Sequence, residues 1–177
     1  SPFYNEIHRF FIDESDAPVR QIPVHSPDLG MRNVENDRGQ RGGYSLYVPE
    51  YYTAEREWPL IVALHGGSGH GADFFWSWLK TARSRGAILI APTSLANTWS
   101  LSDPKADGKA ILKITGEVIE RYKIDARQML LTGISDGGTF ALMLTASGMN
   151  IFSHTAPVAC AGHAFTAHAA QFSGKKI

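Results

Sequence analysis

The stretch that most constrains this chain is Leu130-Leu131-Thr132-Gly133-Ile134-Ser135-Asp136-Gly137-Gly138-Thr139, a serine with a glycine two residues away on either side. Met129–Thr132 reads as an incoming buried strand and Phe140–Thr145 as an outgoing helix. A serine hydroxyl is a poor nucleophile unless it is held clear of the backbone and beside a base. A sharp strand-to-helix turn holds it that way and strains the backbone of the serine. The neighbours two positions away must then be small, or their side chains collide across the turn. Gly133 and Gly137 meet that need, and Gly138 lets the helix pack close. The bland alternative is a glycine-rich turn with a bystander serine. The strand and helix on either side count against it, and a second motif upstream counts against it further.

That motif is Leu64-His65-Gly66-Gly67-Ser68-Gly69-His70-Gly71, directly after the apolar run Leu60–Leu64. A glycine-rich loop in that place can turn backbone N–H groups towards a ligand. Ester hydrolysis passes through a tetrahedral species with negative charge on the former carbonyl oxygen, and a donor fixed in advance against it contributes about 3–4 kcal/mol. The N–H of Gly67 is the expected donor from this loop, and the N–H of Asp136, next to the serine, is the expected second one. A phosphate-binding loop fails in detail: there is no Gly-x-x-x-x-Gly-Lys-Ser/Thr run, and Gly66-Gly67-Ser68-Gly69 lacks the dinucleotide spacing.

The 177 residues suggest one domain, 1–177, with a core of its own. Lys plus Arg and Asp plus Glu number 17 each, so no global field favours nucleic acid or an anionic membrane surface. Leu60–Leu64 is far too short to span a bilayer. The start, Ser1-Pro2-Phe3-Tyr4-Asn5-Glu6, lacks the basic and apolar regions of a signal peptide, as a processed mature protein also would. A single cysteine, Cys160, rules out an internal disulfide, fits a cytoplasmic more than a secreted setting, and reads as a buried small hydrophobe. No His, Cys, Asp or Glu cluster has metal-ligand spacing, and no cofactor is expected.

Along the chain, Ile7–Ile12, Val19–Val24 and Tyr44–Val48 read as strands, with the polar stretch 26–43 as a loop giving an antiparallel start. Arg32, Arg38 and Arg41 in that loop read as a solvated face. From Trp58 the pattern changes. Leu60–Leu64 and Ala87–Ala91 are continuous apolar strands of the kind buried on both faces of a parallel sheet. Residues 71–85 are helix-like, with Phe74, Phe75, Trp78 and Leu79 available for one face. Residues 93–107 form a polar loop. Lys109–Tyr122 is an amphipathic helix with Ile111, Ile114, Val118 and Tyr122 on one face, and His154–Cys160 is a further strand. Repeated strand–helix alternation puts helices on both sides of a mostly parallel sheet, with chemistry beyond the carboxyl ends of its strands. Ser135 and the His65–Gly67 stretch both fall there.

With Leu64-His65-Gly66-Gly67 after one strand, Gly133-Ile134-Ser135-Asp136-Gly137-Gly138 after another, and Tyr44-Ser45-Leu46-Tyr47-Val48-Pro49 before both, residues 43–160 resemble the α/β-hydrolase family, in particular its phospholipase/carboxylesterase-like branch of small serine esterases. The resemblance implies a three-layer α/β sandwich, Ser135 as nucleophile, an oxyanion hole from the Gly67 and Asp136 N–H groups, and a small-molecule ester as substrate. His65 would brace its loop. Trp99 and His70 are candidates for the substrate pocket, and Phe74, Phe75, Trp76 and Trp99 hint at an apolar or aromatic acyl group. Asp73 could cap the helix after the oxyanion loop.

The chain departs from this pattern after the serine. The family's acid and histidine follow the nucleophile in that order, yet residues 137–177 hold no Asp or Glu. The expectation is a chain truncated before both groups, with His163 and His168 as the candidate bases within it and His154 as a structural residue. The competing reading is a non-catalytic hydrolase-like module that binds a ligand or partner, its exposed sheet edge favouring a homodimer.

Overall fold

The computed structural model describes residues 29–161. They build a six-stranded sheet in the order β1 (Gly30–Val34), β2 (Tyr44–Val48), β4 (Ile88–Pro92), β3 (Trp58–Leu64), β5 (Ile124–Ile134) and β6 (His154–Val158). The β1–β2 and β2–β4 pairs are antiparallel, and the β4–β3, β3–β5 and β5–β6 pairs are parallel. Three helices among the described residues connect them: α1 (Gly71–Arg85), α2 (Lys105–Arg121) and α3 (Asp136–Ala146).

The central strands are apolar on both sides because both sides are covered. Phe75, Leu79 and Ala82 of α1 pack with Tyr47, Ile61, Ala63 and Leu89 on one face. Ile111 and Val118 of α2 and Phe140, Ala141 and Leu144 of α3 pack with Leu46, Leu60, Val62, Ile90 and Leu131 on the other. The α2 face is the stripe that its sequence period predicts: Ile111, Val118 and Tyr122 are buried and Ile114 packs against the same core, while Ile119 is exposed. No helix of the described residues is long and apolar enough to cross a membrane.

The antiparallel start is present, but its outer strand is Gly30–Val34, inside the stretch that reads as loop. That segment has only Met31 and Val34 as large apolar residues, so its strand character comes from pairing with β2 and not from its own pattern. The strands expected at Ile7–Ile12 and Val19–Val24 lie outside the described residues. β5 begins five residues before Met129, where Ile124 pairs with Trp58 across a register shift. Helix α2 begins at Lys105 behind Pro104, a turn earlier than its apolar period suggests.

The connection from β3 leads to α1 on one face, and that from β5 leads to α3 on the opposite face, although β3 and β5 are neighbours. Loops that leave adjacent parallel strands in opposite directions open a crevice between them. Leu64 and Gly133 are paired at that point, so the glycine loop after β3 and the serine turn after β5 face each other.

Candidate active site

Ser135 sits at the junction of β5 and α3 with φ 54° and ψ −117°, a conformation that non-glycine residues avoid at roughly 1–3 kcal/mol. Its surroundings impose it. The Ser135 N–H donates to the Val158 carbonyl at 2.9 Å. The Ser135 carbonyl accepts from the Thr139 N–H at 2.9 Å and from the Thr139 hydroxyl at 3.1 Å. The turn is as tight as the spacing of its glycines implies: a Cβ on Gly133 would lie 2.5 Å from the Gly137 carbonyl, and one on Gly137 would lie 2.4 Å from the carbonyl oxygens of Leu64 and His65. The serine itself is exposed at the carboxyl edge of the sheet.

The glycine loop lies directly against this turn. A Cβ on Gly66 would be 3.7 Å from the Ser135 Cβ, and one on Gly67 would be 2.6 Å from Asp136 Oδ2. Among the described residues no partner engages the N–H of Gly67 or of Asp136.

His65 braces the loop from beneath. It is 1% exposed. Its Nε2 accepts the Ser94 N–H at 3.1 Å, which leaves the proton on Nδ1, 2.7 Å from the Gly66 carbonyl. Burial holds the imidazole below its ordinary value of 6.5. Trp99 lies against this ring, tilted by 34° with centroids 4.8 Å apart, and stacks on Phe140 at 5.4 Å.

Several sequence expectations change here. Trp99 is 2% exposed and His70 is 8% exposed, and among the described residues both are buried and hydrogen-bonded within the fold. Trp99 instead donates through Nε1 to the His65 carbonyl at 2.8 Å, and His70 caps α1 by accepting the Ala72 N–H at 3.2 Å on Nδ1. Asp73 is not the cap; it forms an exposed ion pair with Arg38 at 2.7 Å. Phe75 is on the buried face of α1, and Trp76 is 60% exposed with its ring edge-on to Phe75 at 5.8 Å. Cys160 is half-buried beside Gly138 and not fully in the core.

The arginines also divide. Arg32 donates to the Tyr122 hydroxyl at 2.8 Å. Arg41 is a clamp: its guanidinium donates to the Gly69 carbonyl at 2.9 Å, to the Ser94 carbonyl at 3.2 Å and to the Ser94 hydroxyl. Asp107, the last residue of the stretch that reads as a polar loop, is 2% exposed and accepts from the Leu95 N–H, the Ser100 N–H and the Ser100 hydroxyl at 2.7–2.9 Å. Its spacing of seven and twelve residues from these donors left no local signal.

Of the histidines after the serine, His154 starts β6 at the end of the strand remote from Ser135 and meets the Ser153 hydroxyl at 2.9 Å. His163 and His168 lie outside the described residues. Two clefts, of about 330 and 610 Å³, open away from Ser135, one between β2 and α2 and one over the starts of β3, β5 and β6.

Strand order, the crossover to opposite faces and the serine turn define an α/β-hydrolase fold, and the chain resembles the esterases that carry it. No protein-family model matches the sequence. Among curated proteins it is 28% identical over 157 residues to "Putative esterase NocK" of Nocardia uniformis subsp. tsuyamanensis, which covers 82% of this chain and 45% of that protein. It is 27% identical over 127 residues to "Probable feruloyl esterase C" of Aspergillus terreus, covering 67% of this chain and 46% of that protein. Among solved structures, acetyl xylan esterase from Aspergillus awamori superposes with a TM-score of 0.61 at 20% identity, over 71% of this chain and 50% of that one. The chain therefore spans about half the length of the proteins it matches.

Proposed function

We propose that the protein hydrolyses carboxylic esters through a covalent acyl-enzyme on Ser135. The observation that carries this reading is the strained, exposed Ser135 beside Gly66, with the adjoining Asp136 packed over Gly67, at the crevice between β3 and β5. The esterase names of its relatives support carboxylic esters as the substrate class.

In this mechanism Ser135 Oγ bonds to the substrate carbonyl carbon as its proton passes to a base. The carbonyl oxygen takes up the negative charge and receives the N–H groups of Gly67 and Asp136, each contributing about 3–4 kcal/mol to the transition state. The tetrahedral species collapses, the alcohol C–O bond breaks, and the alcohol departs with the proton. Water then adds to the acyl-enzyme, with its proton taken by the same base, and the acid is released as Ser135 regains its hydrogen. His65 and His70 have both ring nitrogens committed to other groups. The reading therefore assigns the base to a histidine outside the described residues, with His163 and His168 the candidates within this chain.

The test is the intact mass of the 177-residue protein after incubation with a fluorophosphonate, in which Ser135 Oγ displaces fluoride from phosphorus. One adduct on the parent that Ser135→Ala lacks is the expected result. No adduct on the parent would refute hydrolysis by this chain.

A further inference from the structure

We infer that Thr98 is a positioning residue for the reaction proposed above, acting through Asp136. The inference rests on the assignment of the Gly67 and Asp136 N–H groups as the oxyanion donors. These donors come from different loops, and their joint use depends on a fixed separation. A misplacement of about 1 Å can lower a rate by roughly a hundredfold.

The glycine loop closes on itself through one backbone bond, from the Gly69 N–H to the Gly66 carbonyl at 3.0 Å, and is otherwise held by its neighbours. Ser68 has φ 58°, a strained left-handed conformation for a serine, in a run with Gly66, Gly67 and Gly69. Three consecutive residues of the loop after β4 hold the site from outside, each at a different point. Asn97 accepts the Ser68 N–H on its carbonyl and donates its amide to the Ser68 hydroxyl, both at 3.0 Å. Trp99 holds the His65 carbonyl at 2.8 Å. Thr98, between them, donates its hydroxyl to Asp136 Oδ2 at 2.6 Å.

Only the Thr98 contact reaches the serine turn. The oxygen it holds is the one that a Cβ on Gly67 would meet at 2.6 Å, and Thr98 Oγ1 would lie 3.7 Å from the same point. The Asp136 carboxylate is therefore packed over the backbone of Gly67, with the Thr98 hydroxyl behind it. A hydroxyl-to-carboxylate bond is charge-assisted and short, so it restricts the Asp136 side chain more than a neutral contact would. Asp136 is the first residue of α3, so the Thr98 bond ties the start of that helix, where the Asp136 N–H lies, to the loop after β4. The latch sets the wall against which Gly67 rests, and with it the spacing of the two donors.

The test compares Thr98→Val, which keeps the shape and removes the donor, with Thr98→Ser, which keeps the donor in a smaller side chain, both in the full 177-residue chain. Hydrolysis of p-nitrophenyl acetate gives kcat and KM, and amide hydrogen exchange at Ser68 gives the state of the loop without reference to activity. In Thr98→Val, kcat should fall about ten- to a hundredfold with KM within about twofold, and Ser68 exchange should accelerate about tenfold. Thr98→Ser should retain kcat within about threefold of the parent. A Thr98→Val variant with parental kcat, a Thr98→Ser variant as slow as Thr98→Val, or unchanged exchange at Ser68 would each overturn the inference. A parent that takes up no fluorophosphonate refutes the reading of Ser135. In that case the Ser68 exchange alone decides the latch: acceleration upholds it and no change overturns it.

Discussion

The Trp99 indole donates to the His65 carbonyl oxygen at 2.8 Å while its ring lies tilted against the His65 imidazole. One aromatic residue thus holds both the backbone and the side chain of the residue that begins the glycine loop. The His65 ring nitrogens are spent on the Ser94 N–H and the Gly66 carbonyl. His65 is a buried strut whose chemistry is its neutrality.

That neutrality has a pH signature. Burial depresses the folded-state value below the ordinary 6.5, so the unfolded chain takes up the proton first as the pH falls. The contribution of neutral His65 is complete above about pH 6.5 and is lost progressively as the pH drops below it. Thermal midpoints measured from pH 8 to pH 5 should fall on the acid side. The fall should be shallower in His65→Gln; equal slopes in the two proteins would show that His65 does not titrate with unfolding.

Gly137→Ala should be among the most damaging of small substitutions. Its Cβ would stand 2.4 Å from two carbonyl oxygens at the end of β3, a contact that only movement of the backbone can relieve. A loss of about 3 kcal/mol or more is expected in urea unfolding. A loss below about 1 kcal/mol would mean that α3 can shift away from β3 freely.

Asp107→Asn tests how the loop after β4 is held. One carboxylate oxygen accepts two donors from Ser100 and the other accepts the Leu95 N–H. An amide offers one acceptor fewer and sets an NH₂ against an N–H, which should cost about 2 kcal/mol in this buried place. Since Thr98 and Trp99 lie between those anchor points, amide exchange should rise at Leu95 and Ser100 together. A rise confined to one of them would show that the two anchors are independent.

Arg41→Lys should loosen the clamp between Gly69 and Ser94. The guanidinium reaches two carbonyls and a hydroxyl at once, and an ammonium has no matching fork. A loss of about 1 kcal/mol is expected by denaturant titration. Parental stability would return Arg41 to the solvated face that its sequence context suggests.

The parts legible in sequence were those whose cause is local. The run Leu60–Leu64 is apolar at every position because both faces of β3 are covered, and 71–85 is a helix with the boundaries its pattern gives. Gly133, Ser135 and Gly137 carry the turn in their spacing, since a collision across a tight turn depends on residues two positions apart. The mostly parallel sheet and the placing of the two motifs at its carboxyl edge followed from alternation and handedness, whereas the strand order did not.

What only the tertiary structure decided are contacts made across long separations by residues with several possible uses. Trp99 could line a pocket or fill a core, and the carbonyl of His65, 34 positions away, settles that it is buried. Arg41 reads as a solvated charge until Ser94, 53 positions later, is brought beneath it. Thr98 and Asp136 are 38 positions apart and carry no periodic signal. Apolar period and glycine spacing are written into a sequence because neighbours along the chain enforce them. A hydrogen bond between loops is specified only once the sheet has placed both ends, which is why the serine turn was visible in the sequence and the contacts that hold it were not.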